Sequence, residues 1–264
     1  MLGLSTGISQ AAANLRSYVK ENLKLYLDFK SSKSDTLKFP CEGSTSFDGT
    51  NDYIDCGNDT SLDITSAITL SAWVKPNNIN LTDWIVGRED GTNRNYVIWA
   101  KDDEKFIFEM WIGGSKKTVS STTSYVAGTW YYVTAVYDGI NQYMYVNGVE
   151  EDKDAETGSI DNDDVNFVIG RREDASYYFD GSMANVAVWS RALSAEEIQS
   201  IMRKKYNQLK GTETTSLVSW WALDTNYTDS TGSNDGTNSG STLTNSVYGG
   251  NAPVLDRAVD VAKE

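Results

Sequence analysis

Between positions 84 and 111 the chain gathers side chains suited to holding a sugar: Trp84, Arg88, Asn93, Arg94, Tyr96, Trp99, Glu109 and Trp111. Aromatic faces cover the C–H surfaces of a pyranose, while amides, carboxylates and guanidinium groups pair with its hydroxyls. A strand alternates its side chains, so Trp99 faces away from Tyr96 and Trp111 away from Met110. The whole set cannot share one surface, and core packing competes for each member. A second cluster, Asp48, Asn51, Asp52 and Asp55, concentrates oxygen ligands in one loop, as a calcium ion requires. The same residues are good turn formers.

The chain holds no histidine. That removes the usual general base near neutral pH, the commonest zinc ligand and any Ser-His or Cys-His nucleophile pair. Cys41 and Cys56 flank a predicted turn and are too few for a disulfide scaffold or a complete zinc site; they read as packed thiols, with one disulfide as the alternative. With 37 Asp and Glu against 23 Lys and Arg in 264 residues, the net charge of -14 repels nucleic acid. An acidic coat is ordinarily a solvated surface, and it can also hold divalent cations. The opening MLGLSTGISQAAANL has no basic start and no continuous apolar run, so neither a signal peptide nor a membrane span is expected from it.

These side chains need elements to position them. Residues 8–23 repeat apolar positions every three to four residues, which predicts one amphipathic helix in an N-terminal arm over 1–22. From about 23 to 190 the pattern becomes short runs rich in β-branched and aromatic residues, among them LKLYLDF, ITLSAWVKP, NYVIWAKDD, KFIFEMWIGG and TWYYVTAVYDG. No helical pattern intervenes, so the fold class is all-β, a two-sheet antiparallel jelly-roll sandwich. Asp48-Gly49, Asp138-Gly139, Asn147-Gly148 and Asp180-Gly181 mark hairpin turns. Ser194 with Glu197 reads as a capping box opening a short helix through IQSIMRKKYNQL.

Four segments in order resemble the laminin-G-like jelly-roll family of the concanavalin A-like lectin and glucanase superfamily: SFDGTNDYIDCG with ITLSAWVKP, GTWYYVTAVYDGINQYMYVNGV, VIGRRE, and YFDGSMANVAVWSRALSAEEI. The resemblance implies a sandwich over about 23–210, in which Trp73, Trp130 and Trp189 fill the space between the sheets. It also exposes an internal echo. Leu23–Phe29 (LKLYLDF) and Leu217–Leu223 (LVSWWAL) share apolar spacing, and the family commonly opens with a segment like the second. The extension over 211–264 is then either the start of a truncated second copy or a strand that completes a sheet in its own or a neighbouring subunit.

Glucanases of that superfamily place catalytic carboxylates alternately along one strand. The acidic run Glu150–Glu156 lacks that spacing, and Glu89-Asp90 and Asp102-Asp103-Glu104 are adjacent rather than alternating, so no enzyme is expected. Some relatives hold calcium at the sandwich edge, but the acidic residues expected near the last strand are replaced here by Met183-Ala184-Asn185. The combined expectation is a non-enzymatic virion surface or structural protein, a bacteriophage capsid decoration or fibre component made in the host cytoplasm. The alternative is a free extracellular carbohydrate-binding or adhesion module, assisted by calcium. Expected partners are other virion proteins, copies of the chain itself and host-surface glycans, with no nucleic acid and no membrane insertion.

Overall fold

The computed structural model describes residues 40, 41 and 43–244. The expected N-terminal helix, the LKLYLDF segment and residues 245–264 lie outside the described residues.

Fifteen strands build two antiparallel sheets. In chain order they are β1 (Ser44–Asp48), β2 (Tyr53–Asp55), β3 (Ile68–Pro76), β4 (Asp83–Glu89) and β5 (Arg94–Ala100). There follow β6 (Phe106–Ile112), β7 (Ser115–Ser120), β8 (Tyr131–Tyr137), β9 (Asn141–Val146) and β10 (Val149–Ala155). The last five are β11 (Val168–Ile169), β12 (Asp180–Trp189), β13 (Leu217–Trp221), β14 (Thr237–Ser239) and β15 (Thr242–Thr244), with a helix α1 (Ala195–Ile201) after β12. The first sheet runs β10-β9-β8-β3-β12-β1-β15, with β13 also on β12. The second runs β14-β2-β11-β4-β5-β6-β7. This is the sandwich the strand pattern predicts, and no described helix is long and apolar enough to cross a membrane.

Side-chain alternation sorts the residues of each strand between faces. Leu70, Ala72 and Val74 of β3 meet Tyr96, Ile98, Phe108 and Met110 of the second sheet in the core between the sheets. The intervening Trp73 points the other way. It joins Trp130, Trp189, Trp220, Ile198 and Ile201 in a second apolar cluster, on the outer face of the first sheet beneath α1. The tryptophans expected between the sheets therefore anchor the helix instead, because they occupy the opposite parity of their strands. Cys56 lies in the first cluster and Cys41 in the second; both are free and buried, and burial pushes both thiols up.

Three expected local structures differ, the first being Asp48-Gly49, which carries the chain from β1 in one sheet to β2 in the other instead of turning a hairpin. Ser194 and Glu197 do form a capping box, but α1 stops at Ile201 rather than continuing to Leu209. The Trp73 indole N–H donates to the Met202 carbonyl (3.1 Å) and the Asn185 amide to that of Lys204 (3.2 Å), so tertiary partners take the carbonyls that would continue the helix. Gly181 sits within β12 rather than in a turn: a Cβ there would lie 2.3 Å from the Lys75 carbonyl oxygen across the ladder. Asn147-Gly148 does turn β9 into β10, with φ of 53° and 78°, as a two-residue hairpin demands.

Residues 211–244 are part of the sandwich. The ten-residue β12 changes register between Ala184 and Ala187, pairing β1 along its first half and β13 along its second. β15 extends the first sheet beyond β1, and β14 closes the other sheet against β2. Instead of ending at 210, the packed body runs to Thr244, because β13 supplies its aromatic pair to both clusters, Trp220 to the outer and Trp221 to the inner.

Candidate functional site

The outer face of the second sheet carries a cleft of about 260 Å³. Its floor follows from strand alternation. Turning Tyr96, Ile98, Phe108 and Met110 inward leaves Val97, Trp99, Ile107 and Trp111 outward, where they pack with Trp84 in a third apolar cluster. Glu109 comes up between Ile107 and Trp111, and Lys116 of β7 stands in register with Trp111. Glu89 ends β4 on the same face, and Arg172 and Tyr177 complete the wall from the loop between β11 and β12.

Edge-on aromatic contacts fix the floor. Trp99 meets Trp84 at a centroid distance of 5.0 Å and Tyr177 at 5.3 Å, both near perpendicular. Beneath them the Trp84 indole donates to the Val168 carbonyl (2.9 Å), tying the site to β11. The Tyr177 backbone is held at φ 55° and that of Ala175 at 61°, conformations costing on the order of 1–3 kcal/mol each for non-glycine residues. Hydrogen bonds brace the loop, from Trp84 N–H to the Tyr177 carbonyl and from Glu173 N–H to that of Glu89.

Charges cover this aromatic floor. Lys101 Nζ lies 4.4 Å from the Trp99 ring, the Arg94 guanidinium 5.5 Å from Trp111 and that of Arg172 4.6 Å from Tyr177. Glu109 is flanked by Lys116 at 3.2 Å and Lys101 at 4.0 Å, and Glu89 by Arg172 at 3.6 Å and Arg94 at 3.8 Å. Burial pushes the Glu89 carboxyl up to about 7; Arg172 and Arg94 oppose that shift, while Glu109 and Asp174 add to it. Of the eleven buried side-chain N and O atoms without a hydrogen-bond partner among the described residues, three are Trp99 Nε1, Trp111 Nε1 and Glu89 Oε2. Such groups cost about 1–3 kcal/mol apiece.

Of the residues singled out in the sequence, Arg94, Trp99, Glu109 and Trp111 line the cleft, with Trp84 below. Arg88 and Tyr96 do not reach it. They point into the interior, where Arg88 is fully buried against Asp63 (2.7 Å) and donates to the Leu62 and Val165 carbonyls, while the Tyr96 hydroxyl donates to Leu62. Asn93 is spent on its own turn, its amide donating to Asp90. Sequence reasoning missed Glu89, Lys101, Lys116, Arg172 and Tyr177. The alternation that turns Arg88 inward turns Glu89 outward, and Lys101 follows Trp99 by two; Arg172 and Tyr177 had no local signal.

The acidic loop is arranged otherwise. Asp48 accepts from the Thr50 and Asn51 amides and is held below its ordinary value by them. Asp52 accepts from the Asp48 amide, and Asp55 is turned to Asn166. Among the described residues no group of three or more His, Cys, Asp or Glu side chains is gathered closely enough to hold a metal.

Comparison with known proteins agrees with this architecture. A laminin-G family model of the concanavalin A-like lectin/glucanases superfamily matches residues 48–199. A structure from Bacteroides ovatus, of a protein proposed to bind carbohydrate, superposes with a TM-score of 0.60 at 21% identity, covering 78% of this chain and 59% of that one. This chain thus spans little more than half the length of that protein. Domain 4 of the arabinanase AbnA from Geobacillus stearothermophilus, in complex with arabinotriose, gives a TM-score of 0.50 at 16% identity, covering 60% of this chain and 75% of that domain. No curated protein sequence matches the chain.

Proposed function

We propose that this chain, which belongs to the concanavalin A-like lectin/glucanase superfamily, is a non-catalytic carbohydrate-binding module whose ligand occupies the cleft over Trp99 and Trp111. The observation that carries the reading is a concave surface in which charged side chains, Arg94, Lys101, Glu109, Lys116 and Arg172, converge over a floor of Trp99, Trp111 and Tyr177. Convergent polar groups around an aromatic floor are what a polyhydroxylated ring engages. The volume, about 260 Å³, falls just below the roughly 300 to 1,000 Å³ of most ligand clefts, so a short sugar unit fits rather than a long chain. The protein of Bacteroides ovatus proposed to bind carbohydrate and the arabinotriose-bound domain share the sandwich and support the same class of role.

Binding rather than hydrolysis follows from how the carboxylates are held. Glu89 and Glu109 come from different strands and each is ion-paired with two cations, an arrangement that supports positioning positive groups around a bound ligand over freeing a carboxylate for acid-base work. A glycan array, followed by titration of the hits against the Trp111→Ala and Trp99→Ala variants, tests the reading. Reproducible binding lost in both variants is the expected result; an array without hits overturns it, and turnover of a bound glycan overturns the non-catalytic part. As its setting we propose display at a surface. Stoichiometric presence in purified particles would place the module on a virion, and its absence there would favour a free extracellular protein.

A further inference from the structure

We infer that the saccharide held in this cleft is acidic, its anionic group docking among Arg94, Lys101, Lys116 and Arg172; the inference rests on the cleft being a glycan site. Four cations and two carboxylates line the cleft of a chain whose net charge is -14. The local sign is therefore opposite to that of the whole molecule. A second depression on the described surface, about 450 Å³, has Asp55, Asp59 and Asp235 in its wall and neither Lys nor Arg. Of these two depressions, the aromatic cleft alone carries positive charge.

The cations are also placed where they decide ligand type. Lys101, Arg94 and Arg172 lie over the faces of Trp99, Trp111 and Tyr177. A neutral sugar seeking a bare aromatic platform would first have to displace them, losing the cation–π contact. An anion pairs with them where they stand. Glu89 and Glu109, with Asp174 paired to Arg172 through both its oxygens (3.0 and 2.7 Å), hold the four cations in position, and three carboxylates still leave positive charge in surplus. A donor-rich site with surplus positive charge, partly shielded from water, strengthens charge-assisted hydrogen bonds to a carboxylate or sulfate.

The test is an array of matched pairs, each uronic-acid, sialylated or sulfated glycan beside its carboxyl-reduced or desulfated neutral parent, with hits titrated at low and high salt. Acidic members binding about tenfold or more tighter than their parents, with affinity falling as salt rises, is the expected result. Preference for the carboxylated or the sulfated pairs then identifies the anion. Neutral parents binding as well as their acidic partners, without salt dependence, overturns the inference and leaves the carbohydrate-binding role standing; no hits at all overturns both. Lys116→Gln, a change on a side chain 54% exposed, should weaken acidic hits several-fold while melting at the parent temperature. Unaltered affinity in Lys116→Gln and Arg172→Gln together would also overturn the inference, and the salt series on the unaltered protein keeps it testable should Arg172→Gln fail to fold.

Discussion

Trp221 stacks on Phe167 with ring centroids 5.1 Å apart and planes 19° apart. The contact joins a strand near the C-terminal end of the described residues to the connection that leads into β11, and it lies in the core between the two sheets. The Trp221 indole N–H donates in turn to the Asn234 carbonyl (2.7 Å), and the Asn234 side chain donates to Ser219 Oγ and Ser61 Oγ.

Removing residues 211–264 should therefore do more than trim a tail. It would open the second half of β12 and uncover both apolar clusters, so the shortened chain should be insoluble or lack a cooperative melt. Trp221→Ala should cost about 3–5 kcal/mol in chemical denaturation. A soluble truncation melting like the full chain would contradict the assignment of β13 to this chain's own sheet.

Arg88 offers a contrast with its neighbour in sequence, Glu89. It is fully buried and satisfies the Leu62 and Val165 carbonyls as well as Asp63. Arg88→Met should destabilise the protein by roughly 2–4 kcal/mol, since the buried acceptors lose their donor. Glycan affinity, measured well below the melting temperature, should stay within about twofold of the parent.

Stability should respond to pH in opposite senses at two carboxyls. Glu89 has its pKa raised from 4.5 to about 7, chiefly by burial, so the folded state binds the proton more tightly than the unfolded one. Its contribution is full below about 4.5 and is lost as pH climbs through 7, by roughly 3 kcal/mol at most. The Glu89→Gln variant should flatten that decline. Glu197 is held down at about 2, first by the paired hydrogen bonds from Arg191, so its contribution is present above 4.5 and lost as pH falls toward 2. Glu197→Gln should flatten the acid limb and leave the neutral limb alone; denaturation midpoints across the range check both.

Gly148 provides a test of the hairpin that carries β9 into β10. Its φ of 78° disfavours any side chain, and a Cβ would meet Met202 Sδ and Gln199 Cγ at 3.0 Å. Gly148→Ala should cost on the order of 1–2 kcal/mol, read as a lower melting temperature.

Much of this molecule is written locally. The alternation of NYVIWA and FIFEMWI by itself separates Tyr96, Ile98, Phe108 and Met110 from Trp99, Glu109 and Trp111, because consecutive side chains of a strand must face opposite ways. The Asn147-Gly148 hairpin and the Ser194–Glu197 cap are equally local, set by positive φ and by orphan amide groups. Three residues of the cleft, Trp99, Glu109 and Trp111, were legible on those grounds, whereas Arg94 has the parity of Tyr96 and reaches the cleft from the strand's exposed start; the ordered motifs pointed to the family.

What the chain alone left undecided are relationships between distant segments. Alternation states that two residues lie on opposite faces, but not which face meets the other sheet; only the assembled layers put Trp73 under α1 and Leu70 in the central core. Arg172 and Tyr177 join Glu89 because β11 pairs with β4, a pairing with no signature in either segment. β13 lies on β12 in its own chain because burial of Trp220 and Trp221 on the two sides of one sheet needs both apolar clusters at once, a demand that no stretch of neighbouring residues can express.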